Sequence, residues 1–550
     1  MRIALCQIDT TVGDLGGNTD RIVEFARRAA AHGAGLAVFP ELAICGYPPE
    51  DLLLRESFLA AHDVALQALA ARVPPELDVL VGCVTRNTAA LRHGGRPLHN
   101  AVAHLRAGSC RIVAQKTLLP TYDVFDESRY FEPSRSPEAN VVELAGRRVG
   151  IVVCEDGWND EQFFGQRVYS IDPVQRVVEA GAELVVNLSA SPWERGKESF
   201  RHRMVAAAAL RHGVRMVYVN MVGGDVALQF DGGSLAVSPD GVACQPVWFR
   251  EELIVVDTDR PWTETPVWPQ LEAMQHAAIV QGIAAYVRKF GFRDVVVGLS
   301  GGIDSALVAT LAVDALGPEH VVGIGMPSTH SSDHSVTDAR ELAHRLGIAF
   351  HLLPIEPLQR AFAEVLRPVF AGTAPGIAEE NLQSRARGTL LMAFANQHGH
   401  LVLTTGNKSE CAVGYCTIYG DTNGALAPIA DLWKTEVWAL ARWLNRAGER
   451  IPQRSIDKPP SAELRPGQLD ADSLPPYPEL DPVLRSLVEE ELSVEQTAAR
   501  TGMARERVAE LFAKVQAAEW KRQQYPPTLK LGKRCWNGRR MPTSHRYRES

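Results

Sequence analysis

Asp294-Val-Val-Val-Gly-Leu-Ser-Gly-Gly-Ile-Asp-Ser305 decides the reading of this chain. Three consecutive valines predict a buried strand, and the strand runs directly into a turn of small residues that opens a helix. Gly298, Gly301 and Gly302 let the backbone bend sharply and turn successive N–H groups into one concavity, to which the following helix adds the positive end of its dipole. Ser300 and Ser305 supply hydroxyl donors, and Asp304 supplies a carboxylate able to hold Mg²⁺. The stretch reads as a phosphate cradle. It is not a Walker A loop, because the G-x-x-x-x-G-K-[ST] spacing is missing.

Outward from this loop, strands and helices alternate in both directions. Downstream the pattern predicts a helix over 304–316, a strand over 320–326, a helix over 333–346, a strand over 349–353, a helix over 379–397, a strand over 400–404 and a helix over 432–446. Such alternation implies a doubly wound parallel sheet with ligands at the carboxyl ends of its strands. Upstream, strands over 2–9, 36–39, 78–84, 101–106, 111–115, 148–153, 183–188 and 215–221, with helices over 18–32, 57–71, 173–180 and 198–212, imply a second α/β unit of sandwich type. The chain is therefore read as α/β with two domains, 1–260 and 271–550, joined by a Pro- and Trp-rich connector at 261–270. The Pro-rich, apolar-poor stretch 452–482 reads as a long loop that orders over a ligand or at a subunit contact.

At 550 residues, 46% of them apolar, the chain exceeds what one core normally serves. No apolar run is long enough for a membrane span, and the first residues enter a strand pattern directly, so neither a membrane partner nor a signal peptide is expected. Nine cysteines lack any C-x-x-C pair, which suits a reducing, cytoplasmic setting. A net charge of −8 gives no general attraction to nucleic acid. The terminal segment is locally basic and is read as lining a site for an anionic ligand or as meeting another subunit.

The first half carries its own chemistry. Three apolar strands each finish in a reactive side chain: Glu41 after Val38-Phe-Pro, Lys116 after Ile112-Val-Ala-Gln, and Cys154 after Ile151-Val-Val. A thiol attacks as thiolate, so Cys154 needs a base and a cation. Glu41 takes the proton, Lys116 favours the anion, and Lys116 with the backbone N–H of Glu155 can meet a tetrahedral oxyanion.

The Ser-Gly-Gly-x-Asp-Ser loop resembles that of the ATP pyrophosphatases, which cleave ATP to AMP and pyrophosphate while activating an acid as its adenylate. Phe39-Pro-Glu41, Lys116-Thr-Leu-Leu-Pro-Thr-Tyr-Asp123 and Cys154-Glu-Asp156 resemble motifs of the nitrilase/amidase superfamily. The two together, over roughly residues 1–530, resemble the glutamine-dependent NAD⁺ synthetases. That resemblance implies a nitrilase-like amidohydrolase domain fused to an ATP pyrophosphatase-type ligase domain. By the same likeness the first half frees ammonia from L-glutamine through a Cys154 thioester, with Tyr122, Ser191 and Lys197 binding the glutamine.

For the second half the likeness implies ATP bound by Gly298, Leu299, Ser300, Gly301, Gly302, Ile303, Asp304 and Ser305, with Thr405, Lys434 and Ser461. It assigns deamido-NAD⁺ to Asn381, Glu410 and Lys521, and Mg²⁺ to Asp304 and Glu410. Asp421 falls at a ligand position in the same way. It further implies a homo-oligomer, up to an octamer. Because ammonium has no lone pair to attack with, the co-occurrence of an ammonia-releasing and an ammonia-using site predicts a protected passage for ammonia between them. Two rival readings stand beside it. One is a thiol amidase with a nucleotide-sensing second half, separable by pyrophosphate release. The other is an adenylating enzyme acting on RNA, which the glutaminase half and the absence of a sulfur-relay cysteine pair disfavour.

Overall fold

Along the strand Arg2–Gln7, Ile3 and Leu5 face one way and Ala4 and Cys6 the other, and all four are fully buried. A strand buried on both faces has to lie inside a layered structure. Ile3 and Leu5, with Val38 and Leu80, pack against Val149, Ile151, Val186 and Val217 of a second sheet. Ala4 and Cys6 instead pack on Ile22 and Phe25 of the helix Leu15–Ala31 and on Leu66 and Leu69 of Glu56–Arg72. On the far side, Val152, Val185 and Met216 pack on Val174 and Val177 of Pro173–Glu179 and on Met204 and Val205 of Lys197–His212. The result is a four-layer α-β-β-α sandwich. Burying each such Val, Leu or Ile side chain contributes about 1.5–3 kcal/mol, so the strand ends are held firmly.

The computed structural model describes residues 1–374, 376–547 and 549. The chain divides into two units, Met1–Pro269 and Gln270–Ser550. In the first, each of the two main sheets has six strands, and Val222–Asp225 pairs with Leu228–Asp231 in a small separate sheet. One runs Glu252–Asp257, Arg2–Gln7, Leu36–Val38, Asp78–Arg86, Leu98–Arg106, Ser109–Gln115. The other runs Gly241–Val242, Leu235–Ser238, Arg215–Asn220, Leu184–Ser189, Arg147–Val153, Val141–Leu144. Leu36–Val38 pairs parallel with Arg2–Gln7, and Arg147–Val153 pairs parallel with Leu184–Ser189.

The second unit is built on a four-stranded parallel sheet in the order Ala349–Leu352, Val321–Gly325, Val295–Gly298, Leu401–Leu403. The chain moves outward from Val295–Gly298 in one direction and later returns to its other side. The order therefore reverses between Val295–Gly298 and Leu401–Leu403, the place where doubly wound sheets bind ligands. Among the described residues no helix is long and apolar enough to cross a membrane.

Some elements differ from the expectation. The stretch 452–482 is not all loop: it contains the helix Gln453–Asp457 and the start of Tyr477–Val488. Pro482 lies inside the latter and masks its period, while Leu480, Val483, Leu484 and Leu487 bury one face. Beyond it, Val494–Thr501 and Arg505–Ala517 complete a helical cluster around Trp433 and Trp536. Much of the basic terminus is structural, because Arg522 and Lys530 are buried and Arg522 pairs with Glu519 at 2.7 Å. The unexpected helix Glu356–Phe370 buries no residue and leaves Val365 and Val369 exposed.

Candidate active sites

In the first unit three strand ends converge. Lys116 Nζ donates to Glu41 Oε1 at 2.7 Å and to Glu127 Oε1 at 2.8 Å, and all three side chains are buried. Glu41 also accepts from Asn100 Nδ2 at 2.7 Å and from the Ala190 N–H at 3.1 Å. Glu127, which the sequence reading missed, accepts from the Tyr47 hydroxyl at 2.9 Å, and its Oε2 is buried with no hydrogen-bond partner among the described residues. Two carboxylates thus share one ammonium. Burial opposes that ammonium, yet Glu127 and Glu41 more than offset it and hold Lys116 well above the usual lysine range. Burial, against the pull of Lys116, pushes Glu127 up to about 7.

Cys154 is buried beside this cluster. Burial first, then the charge of Glu41, pushes its thiol well above the ordinary cysteine range, and Lys116 only partly counters them. A thiol pushed in this direction needs a base to take its proton during attack. The backbone of Cys154 has φ +44°, the left-handed region that a non-glycine residue rarely occupies. Asp156 pins the turn by accepting from the N–H groups of Val153, Thr117 and Leu118 at 3.0, 3.0 and 2.7 Å.

Of the three glutamine-side residues, Tyr122 donates to both carboxylate oxygens of Glu155, at 3.1 and 3.0 Å, and Tyr169 donates to Glu155 Oε1 at 2.8 Å. Lys197 opens its helix with its ammonium 5.4 Å from the Trp158 ring centre. Burial raises the pKa of Glu155, while Tyr169, Lys116, Tyr122 and Lys197 all pull it back. Ser191 is buried and donates its N–H to Asn220 Oδ1 at 2.8 Å, above the buried Arg201–Asp231 pair at 3.1 Å. No sequence signal marked Glu127 or Glu155 as partners, since neither ends an apolar run of its own.

In the second unit the loop after Val295–Gly298 and the loop after Leu401–Leu403 face one cavity of about 280 Å³. Every residue of 298–305 except Gly301 lines it, as do Thr405, Glu410, Lys434 and Ser461. Gly301, at φ +76°, sits where an added Cβ would lie 2.4 Å from the Ser335 carbonyl oxygen. Asp304 accepts from Lys434 Nζ at 2.5 Å and from Asn407 Nδ2 at 2.9 Å, and Lys434 also reaches Glu410 Oε1 at 3.4 Å. Burial pushes Glu410 up to about 8, and Lys434 pulls against that rise. Asn407 caps the helix Lys408–Val413 through Glu410.

The Asp304–Glu410 pair fits Mg²⁺. Two carboxylates already converge on one cation, and Mg²⁺ is typically held by one or two protein carboxylates with phosphate oxygens and water completing the shell. Among the described residues there is no cluster of three or more His, Cys, Asp or Glu that would hold a metal without such help.

Asn381 and Lys521 do not line that cavity. Asn381 Oδ1 accepts from the Thr417 hydroxyl at 2.9 Å, and Lys521 Nζ donates to the carbonyls of Gly414 and Cys416 at 2.8 and 2.7 Å. Both stand near Asp421, which does line the cavity and which burial pushes up to about 6. Arg387, absent from the sequence reading, also lines the cavity and donates to the Met326 carbonyl at 2.9 Å.

Comparison with known proteins finds two families along the chain. The carbon-nitrogen hydrolase family profile matches residues 2–265 and the NAD synthase profile matches 275–525. The chain is 46% identical to the glutamine-dependent NAD(+) synthetase of Synechocystis sp., over 99% of each chain. It is 43% identical to that of Xanthomonas campestris pv. campestris, over 100% of this chain and 98% of that one. Among solved structures, glutamine-dependent NAD+ synthetase from Acinetobacter baumannii in complex with adenosine diphosphate aligns with TM-score 0.77 and 35% identity, over 98% of each chain. With a carbon-nitrogen hydrolase unit and an NAD synthase unit on one chain, and full-length relatives that share both, the chain belongs to the glutamine-dependent NAD⁺ synthetase family.

Proposed function

We propose that the chain hydrolyses L-glutamine at Cys154 and uses the ammonia to amidate deamido-NAD⁺ activated by ATP. The products are NAD⁺, glutamate, AMP and pyrophosphate. The observation that carries this reading is the presence on one chain of a buried Glu41–Lys116–Cys154 cluster and a phosphate loop facing Asp304, Glu410 and Lys434.

In the first site the neutral Cys154 thiol gives its proton to Glu41 as the sulfur attacks the side-chain amide carbon. The oxyanion that forms is met by Lys116 and the Glu155 N–H. Collapse of that intermediate leaves a thioester and expels ammonia, the nitrogen taking the proton back from Glu41 as the C–N bond breaks. Water then attacks the thioester, giving up its proton to Glu41; the C–S bond breaks, glutamate leaves, and the Cys154 sulfur takes that proton back. Glu127 Oε2, buried and unpartnered among the described residues, is suited to accept from the amide nitrogen of the substrate. Glutamine is a zwitterion, and the anionic Glu155 with the cationic Lys197 suits its α-ammonium and α-carboxylate. Tyr122 and Ser191 complete the site.

In the second site the acid oxygen of deamido-NAD⁺ displaces pyrophosphate from ATP, and ammonia then displaces AMP. Gly298 to Ser305, with Thr405 and Ser461, hold the nucleotide. Asn381, Glu410 and Lys521 serve the dinucleotide, and Lys434 offsets charge that develops on phosphate. When Mg²⁺ is bound by Asp304 and Glu410, it supplies further positive charge against the phosphates.

A cytoplasmic setting is supported by the nine unpaired cysteines. A homo-oligomer is supported by the uncovered apolar face of Glu356–Phe370, where Phe362, Val365 and Val369 are exposed beside Ile377. A second copy of the chain is the occupant we assign to it. Val365→Glu is expected to lower the mass measured by sedimentation, and an unchanged mass would remove that assignment.

The decisive experiment measures NAD⁺ formation by the Cys154→Ala protein with glutamine and, separately, with ammonium. Loss of the first and retention of the second is expected. A parent protein that splits glutamine yet forms no AMP when given deamido-NAD⁺ would overturn the proposal.

A further inference from the structure

Asn187 lies on the strand Leu184–Ser189, opposite Val152 of the strand that delivers Cys154. Its side chain is buried. The Cys154 N–H donates to Asn187 Oδ1 at 2.8 Å, and Asn187 Nδ2 donates back to the Cys154 carbonyl at 3.3 Å. One primary amide therefore engages both backbone polar groups of a single residue, and that residue has φ +44°. The amide is itself oriented, because Ser189 Oγ donates to Asn187 Oδ1 at 2.9 Å. The turn that follows the thiol packs on the same group: a Cβ at Gly157 would lie 2.9 Å from Asn187 Nδ2.

A left-handed conformation at a non-glycine residue costs of order 1–3 kcal/mol and persists only where the surroundings over-determine it. Asp156 fixes the residue before Cys154, through the Val153 N–H. Asn187 alone, among the hydrogen bonds given by the described residues, grips Cys154 at both its N–H and its C=O. The Asn amide carries an acceptor and a donor side by side, whereas an ionised Asp has no donor and Ser carries both on a single oxygen. We propose that Asn187 is a positioning residue for the nucleophile: it holds the Cys154 backbone in the strained turn that aims the thiol, and it takes no part in bond making. A corollary follows for the oxyanion. The Cys154 N–H is already committed to Asn187, so the backbone donor available to the tetrahedral oxygen is that of Glu155.

This inference rests on the glutaminase reading of the first unit. Asn187→Asp keeps the acceptor for the Cys154 N–H and the shape of the side chain, but it replaces the donor by an oxygen facing the Cys154 carbonyl. In that variant the kcat for glutamine hydrolysis is expected to fall at least 30-fold, with the KM for glutamine within threefold of the parent. Ammonium-driven NAD⁺ formation by the same preparation is expected to stay within twofold. The pH at which iodoacetamide alkylates Cys154 half-maximally is expected to move upward. A kcat within threefold of the parent, or a loss carried wholly by KM, overturns the proposal. Ser189→Ala removes the bond that orients the amide and leaves Asn187 in place, and it decides the matter if Asn187→Asp fails to fold: a severalfold fall in kcat at constant KM supports the proposal, and an unchanged kcat overturns it. A parent protein that releases no ammonia from glutamine defeats the glutaminase reading, which is a different result from a variant that matches an active parent.

Discussion

Lys434 Nζ stands 2.5 Å from Asp304 Oδ2, across 130 residues of sequence, and links the helix that opens at Lys434 to the start of the helix Ile303–Leu316. Lys434 is almost completely buried, so this cation belongs to the site and not to the surface. Its removal leaves the Asp304 and Glu410 carboxylates facing each other without their lysine, and leaves the developing phosphate charge less well met.

Lys434→Met is therefore expected to lower pyrophosphate release about 10²-fold or more, a change of about 2.7 kcal/mol in the barrier. Glutamate release by the same protein is expected to persist, because the residues of the glutaminase site lie in another unit. Parallel assays of the two products check this, and an equal loss of both would point to general unfolding.

Two neighbouring glycines separate backbone demand from mere smallness. At Gly301 a methyl group meets the backbone of Ser335 at 2.4 and 2.8 Å, and φ is +76°. At Gly302 the nearest atom is the flexible Ser300 hydroxyl at 3.3 Å, and φ is an ordinary −85°. Gly301→Ala is expected to raise the KM for ATP at least tenfold or to abolish ammonium-driven synthesis, and Gly302→Ala to change either by only a few-fold. Equal effects of the two substitutions would show that the loop's curvature is not what holds the nucleotide.

How much of this was legible in the sequence depended on whether a local pattern carried it. Glu41, Lys116 and Cys154 each follow an apolar run that reads as a buried strand, so their convergence at strand ends could be anticipated. The cavity-lining loop 298–305 stood out through its glycines. Glu127 could not be anticipated: it sits in a short turn, Glu127–Arg129, with no periodicity, and only the fold brings it to Lys116. Asn187 lies within a strand-forming run, where an isolated polar residue reads as a packing detail. The cluster of helices after Tyr477 was missed although two signals were present, the Ser493–Gln496 capping box and Gly502 in the left-handed conformation at the next helix end. Pro482 and the short helix lengths concealed the 3.6-residue period.

Glu127 gives a prediction that sequence reading could not have made. With Glu127→Gln, Lys116 loses one of two carboxylates and leans wholly on Glu41, which becomes a weaker base for the Cys154 proton. The kcat for glutamine hydrolysis is expected to drop about 10- to 100-fold, within the range general-base catalysis usually supplies. Ammonium-driven NAD⁺ formation is expected to be unaffected. Steady-state kinetics with each nitrogen source would reveal it, and wild-type glutaminase activity in the variant would remove Glu127 from the catalytic cluster.

A final prediction concerns acid stability of the first unit. His62 is buried on the helix Glu56–Arg72, and its Nε2 accepts from the Val84 N–H at 3.3 Å, so its bonded form is neutral. Burial lowers its pKa from 6.5 to about 4, despite Asp63 at 3.9 Å. Above pH 6.5 both the folded and the unfolded chain hold a neutral imidazole, and the full benefit of burying it is present. As the pH falls from 6.5 towards 4, the unfolded chain binds a proton that the folded unit refuses, and stability drains away, by about 3 kcal/mol for a shift of this size. Amide exchange in the strand Asp78–Arg86, followed between pH 7 and 4.5 after correction for intrinsic rates, is expected to show this loss. His62→Gln, which does not titrate, is expected to start less stable at pH 7 but to lose less on acidification. Parallel curves for the two proteins would mean that His62 does not govern this transition.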